Sequence, residues 1–189
     1  MSTEKSHAQD QVSAGLLTFP KGGDSASAGG VYTVTCVGPD GVEKWSDTFH
    51  NLVVNQGLQD MNDKYFKASG YTAVWYLGLV TGPGGSNTYA AADTLASHAG
   101  WAENTDYTGS RKTVTFGTPT TADPSVVSNS ASPSAFSMDD TATIAGAFLA
   151  TTTDNSGVLF SVGNFTGGDK SVASGDTLNV TYQFSLDAA

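Results

Sequence analysis

The run Thr177-Leu178-Asn179-Val180-Thr181-Tyr182-Gln183-Phe184-Ser185-Leu186 alternates without a break. Leu178, Val180, Tyr182, Phe184 and Leu186 fall on one side, and Asn179, Thr181, Gln183 and Ser185 on the other. Successive side chains of an extended backbone point to opposite faces, so this pattern specifies a strand with one buried and one solvated face. Such a strand needs sheet neighbours, and a second layer to cover its apolar side.

The rest of the chain supplies both. Val31–Val37 and Val42–Phe49 alternate on either side of Gly38-Pro39-Asp40-Gly41, a turn with Pro second and Gly fourth, which predicts a β-hairpin over 31–49. Trp75–Val80 is nearly continuous in apolar character and reads as a central strand buried on both faces. Lys112–Gly117, Ser125–Val127 and Val158–Gly163 read as further strands, and Ala135–Met138 and Ala142–Thr151 as two more around the turn Asp139-Asp140. Thr81–Asn87 and the Pro/Ser/Asn-rich Thr118–Ser134 are loops. One substantial helix is expected over about 55–66, with Asn55 as its N-cap and Leu58, Met61 and Tyr65 on one face. Asp93 is placed to cap one or two further turns over Ala91–Ser97.

The predicted fold is therefore mainly β: an antiparallel β-sandwich or jelly-roll-like domain over residues 30–189, with the hairpin, the helix and a sandwich from 73 on. Trp75, Trp101, Phe148 and Leu178 are its expected core, with Trp101 packed near the Trp75–Val80 strand. Residues 1–29 are polar and small, and read as a flexible or extended N-terminal arm, either a free tail or a segment that orders on a partner. Its apolar island is Leu16-Leu17-Thr18-Phe19-Pro20, and Leu16, Leu17 and Phe19 are the expected partner-binding residues, ordering against a neighbouring subunit.

Charge narrows the function classes. Eight Lys plus Arg stand against 18 Asp plus Glu, a formal net charge of −10, and the basic residues form no cluster. That excludes a nucleic-acid groove and disfavours anionic lipid. It suits a soluble protein that meets a basic partner surface. No apolar run approaches the ~20 residues of a membrane span. Met1–Lys5 begin no signal core, so synthesis in a reducing cytoplasm is expected. The one cysteine, Cys36, sits in an apolar run and reads as a small buried side chain.

No catalytic, cofactor or metal residue is predicted. Ser97 and His98 are adjacent, whereas the members of a triad usually converge from separate segments, and no Gly-x-Ser-x-Gly elbow is present. Asp93 reads as a turn cap, and His98 as its hydrogen-bond partner or that of backbone. His7, His50 and His98 lack metal-ligand spacing, and Asp139, Asp140, Asp154, Asp169 and Asp176 lack a calcium-loop pattern. Gly82-Pro83-Gly84-Gly85 and Gly167-Gly168-Asp169-Lys170 lack phosphate-loop spacing. Trp45, Trp75, Trp101 and the tyrosines could stack on sugars, which keeps a carbohydrate-binding module as an alternative, although most lie in apolar runs that favour packing.

Four blocks carry a resemblance: Trp75–Val80; Asp93-Thr94-x-Ala96-Ser97-His98-x-Gly100-Trp101-x-Glu103; Thr141–Ile144 with Gly146–Leu149; and Val172–Leu178 with Val180. Over about residues 75–186 the chain resembles a family of tailed-bacteriophage virion structural proteins. The resemblance implies a non-enzymatic particle component, made in the bacterial host cytoplasm and ending in the virion, with other virion proteins as partners. A head decoration or cement protein on the major capsid protein, as a homo-oligomer, is the first expectation. A tail or tail-fibre-associated protein is the second.

Overall fold

The computed structural model describes residues 26–70 and 74–188. Leu16, Leu17 and Phe19 lie outside them. In chain order the elements are β1 (Ala26–Val37), β2 (Glu43–His50), β3 (Leu52–Val53), α1 (Asn55–Phe66), β4 (Trp75–Thr81), β5 (Glu103–Asn104), β6 (Lys112–Val114), β7 (Ser125–Ser128), β8 (Ser134–Ser137), β9 (Ala142–Ala150), β10 (Leu159–Asn164), β11 (Lys170–Val172) and β12 (Thr177–Ala188). They form two antiparallel sheets packed as a β-sandwich. One runs β2-β1-β12-β7, with β8 also on β12; the other runs β3-β10-β9-β4-β5, with β11 on β9 and β6 on β4.

The alternation in β12 does what its period requires. Leu178, Val180 and Tyr182 are fully buried between the sheets with Tyr32, Val34 and Cys36 of β1, their register partners. The rings of Tyr32, Phe49 and Tyr182 pack together at 5.2 and 4.6 Å. Their hydroxyls have partners: Tyr32 bonds to Ser161 Oγ at 2.7 Å, and Asn51 Nδ2 donates to Tyr182 at 3.0 Å. Gly30 is a glycine because a Cβ there would strike the Tyr182 ring and hydroxyl.

On its far side β12 changes neighbour. β8 covers Thr177–Val180 and β7 covers Gln183–Leu186. The buried Asn129 fills the gap between them. Its Oδ1 accepts from Tyr182 N at 2.6 Å, and its Nδ2 donates to Val180 O at 3.2 Å. A side-chain amide thus replaces the missing stretch of ladder, and the Asn129 N–H adds a bond to Tyr182 O.

Several expectations shift. β1 starts at Ala26, so residues 26–29 belong to the sheet, pairing from Ala26↔Ala188 to Gly29↔Ser185, and not to an arm. The helix spans the predicted residues, but Asn55 does not cap it. Val54 holds the cap position with no side-chain cap bond; it is buried, and its N–H donates to Phe160 O. The short β3 feeds directly into α1, leaving no room for a capping turn. Gln56 instead takes Leu159 N at 3.1 Å, and Gly57 lies flat on β10. Leu58 and Met61 pack on the core, whereas Tyr65 is exposed because the last helical turn runs past the sheets. Strands β8 and β9 flank Asp139-Asp140 but join opposite sheets, so the turn is a corner between layers. Residues 91–97 form turns closed by reciprocal backbone bonds between Thr94 and Ser97, not helix.

Candidate interaction surface

The outer face of the second sheet is closed by the loop that carries Trp101. Gly78 leaves a flat area on β4, and the Phe148 ring of β9 lies over it where a Cβ would collide. Trp101 packs on Phe148 at 5.3 Å, and His98 stacks on Trp101 at 3.9 Å. Arg111 lies over the Phe148 ring at 5.0 Å. The polar ends are all held. Trp101 Nε1 donates to Asp93 Oδ2 at 3.1 Å, and His98 Nδ1 sits 3.0 Å from Trp101 O. Arg111 grips Glu103 with Nε and Nη2, at 2.9 and 2.7 Å, and reaches the carbonyls of Thr152 and Asp154. Asp93 and His98 therefore serve Trp101 and are not joined to each other, and Ser97 spends its backbone on the Thr94 turn.

A second polar cluster closes the Thr177 end of β12. Asp176 is buried and accepts Lys44 Nζ at 2.6 Å and Ala173 N at 2.9 Å. Burial opposes its ionisation, but Lys44, the Ala173 N–H and the Cys36 thiol together hold its pKa below the usual carboxylate value. Burial, then Asp176, pushes the Cys36 thiol up to about 11, so it is protonated and unreactive at neutral pH.

The other end of β12 is open. Phe184 is half-buried and Leu186 is 45% exposed. Beside them α1 ends in Tyr65 and Phe66, 83% and 77% exposed, with ring centroids 5.0 Å apart. Two adjoining hollows meet at Met61 and Trp75. One, about 430 Å³, runs inward between Phe116, Phe160 and Phe184. The other, about 660 Å³, runs outward along Tyr65, Phe66 and Leu186 to Ala26, with Asp60, Asn62 and Lys64 on its helical side. Burial of the Asp60 carboxyl raises its pKa, and Lys64 partly offsets that.

Of the expected core residues, Phe148 and Leu178 are fully buried and Trp101 is 7% exposed. Trp75 is not a core residue. It is half-buried, edge-on to Phe160 at 5.2 Å, and forms the wall between the two hollows. It stands at the start of β4, where neither covering layer reaches. For sugar stacking, Trp101 is covered by His98 and Phe148, and Trp45 is packed edge-on by Phe165 at 5.6 Å, whereas Trp75 lines both hollows.

The sequence reading places Leu186 on the apolar face of β12, where it is instead 45% exposed, and does not single out Phe66. A signal was present. Tyr65 and Phe66 are neighbours about 100° apart on a helix and cannot both face one core. Leu186 continues the β12 alternation beyond the last covered position.

Among the described residues no three His, Cys, Asp or Glu side chains gather as metal ligands would, and no helix is long and apolar enough to cross a membrane. No family model, curated protein or solved structure matches this chain.

Proposed function

We propose that this chain is a non-enzymatic structural subunit of a bacteriophage particle, and that it decorates the outer surface of the head on the major capsid protein. The observation that carries the reading is a contrast within one domain. Among the described residues, an acidic sandwich whose buried side-chain N and O atoms all have partners except Asn51 Oδ1 leaves an apolar surface at Tyr65, Phe66, Trp75 and Leu186. Exposed apolar surface of this kind marks contact with another chain segment or protein. The resemblance in the four sequence blocks supplies the particle, and the net charge of −10 supplies a reason to meet a basic shell.

Counting the chain's peptides against the major capsid protein in purified particles tests this. Hundreds of copies per particle support decoration of the head. A dozen or fewer move the protein to the tail or its fibres, and none at all removes it from the particle. Attachment through the acidic surface should weaken as salt rises, because exposed charges are screened within about 10 Å at 0.1 M. The carbohydrate-binding alternative has a narrower base: Trp75 lines the hollows, while Trp101 is covered by His98 and Phe148 and Trp45 packs on Phe165.

A further inference from the structure

We infer that the groove between α1 and the ends of β1 and β12 is the docking site for this chain's own Leu16–Phe19 segment. The inference concerns the same apolar surface that the particle reading invokes: where the segment covers it, attachment to a shell falls to the acidic surface, and particle copy number tests that reading separately from the cross-links below.

Position comes first. Ala26, where the described residues begin, is itself part of the groove wall, beside Leu186 and opposite Tyr65 and Phe66. The preceding chain thus starts at the rim of the hollow. Six residues separate Phe19 from Ala26, and the seven Cα steps between them reach up to ~23 Å when extended. Lys21-Gly22-Gly23-Asp24 lies in that interval, and paired glycines permit the chain to reverse.

Chemistry comes second. The hollow is walled by Met61, Tyr65, Phe66, Trp75 and Leu186, so it selects apolar side chains over charged ones. Leu16, Leu17 and Phe19 form the compact apolar cluster of the first 25 residues, and the rest of that stretch is mainly small or polar. The edge of β1 adds backbone capacity. Over Ala26–Gly29 it pairs with β12, while its β2 partner begins only at Val31. Extended chain lying along that edge finds donors and acceptors there.

Competition decides the occupant. A segment tethered a few residues away is present at an effective concentration on the order of millimolar, which a separate apolar partner at cellular levels does not match. The same contact can in principle be exchanged between two copies, and the experiment separates the two connectivities.

Thr18→Cys is combined with Asn62→Cys in the full-length chain and oxidised at low protein concentration. Cys36 is fully buried and stays out of the reaction. A control pairs Thr18→Cys with Val42→Cys, at an exposed turn residue by the far end of the 12-residue β1. The expected result is a cross-link within one chain that forms at least tenfold faster for the Asn62 pair than for the Val42 pair. Covalent dimers in place of the intrachain product overturn own-chain docking in favour of a second copy. Equal rates for the two pairs overturn docking at this groove altogether. A readout without cysteines uses Leu16→Ser, Leu17→Ser and Phe19→Ser together. An apolar fluorescent dye should bind this variant several-fold more strongly than the parent, because the groove is uncovered; equal dye binding would sink the proposal.

Discussion

Trp75 and Trp101, one in β4 and one on a loop beside it, meet opposite fates. Trp101 comes from a loop, yet it is covered on both faces by His98 and Phe148, and Asp93 takes its N–H. Trp75 belongs to the central strand β4 itself, yet it stands half-open between two hollows. The difference lies in what each has for a roof. Around Trp101 the chain supplies a loop with a buried Leu95, and the Arg111–Glu103 pair that closes over Phe148. Around Trp75 the helix supplies Met61 and then runs past the sheets, so its last turn and Leu186 remain uncovered. A residue's burial depends on whether another segment crosses over it, and not on whether it sits in a strand.

The largest test of that contrast is Trp101→Ala. It empties a covered site and should cost about 3–5 kcal/mol in thermal or denaturant unfolding. A loss below about 1 kcal/mol would mean that the loop is not part of the core and that the two tryptophans are alike.

Next comes Arg111→Met, which keeps the stem over Phe148 but strands Glu103 and the carbonyls of Thr152 and Asp154. Removing one partner of a buried pair costs about 3–5 kcal/mol, and partial solvent access at Glu103 reduces that here to about 2 kcal/mol. An unchanged denaturation midpoint would show that the roof over Phe148 is held by apolar contact alone.

Gly57→Ala probes the open side. Alanine favours the helix by about 1 kcal/mol over glycine, but its Cβ would lie 2.5 Å from Phe160 O. Overpacking of this kind costs about 1–3 kcal/mol, so the net change should be a destabilisation of about 1 kcal/mol. A stabilised variant would show that α1 can lift off β10, and that the groove beside it is wider than described.

The smallest effect is present at neutral pH, is lost in acid, and concerns the closed end of β12. Asp176 has a folded pKa below its unfolded one, so its contribution is complete above about pH 4 and is lost as pH falls through the lower, folded value. Asp176→Asn should melt below the parent at pH 7, with the gap closing on acidification. A gap that does not change with pH would remove the charge from the account of that closed end.

Much of the fold was legible in the sequence because its strands announce themselves locally. Period-two alternation is a property of an extended backbone, so β1, β2 and β12 follow from their own residues, and Pro39 and Gly41 place the hairpin turn between the first two, where Gly41 adopts φ +78°. The helix is bounded the same way, by spacing within a dozen residues. Partnership is not local. Whether β8 and β9 make a hairpin or a corner depends on β12 and β10, which arrive later in the chain and take one strand each. Asn129 becomes a structural clamp only because β7 and β8 leave a gap opposite Tyr182, 53 residues away. Tyr32 finds its hydroxyl partner 129 residues on, at Ser161. The same rule set the candidate surface. Trp75, Tyr65 and Leu186 obey the patterns that predict burial, and only the three-dimensional packing, by ending the covering layers short of them, left them partly or largely exposed.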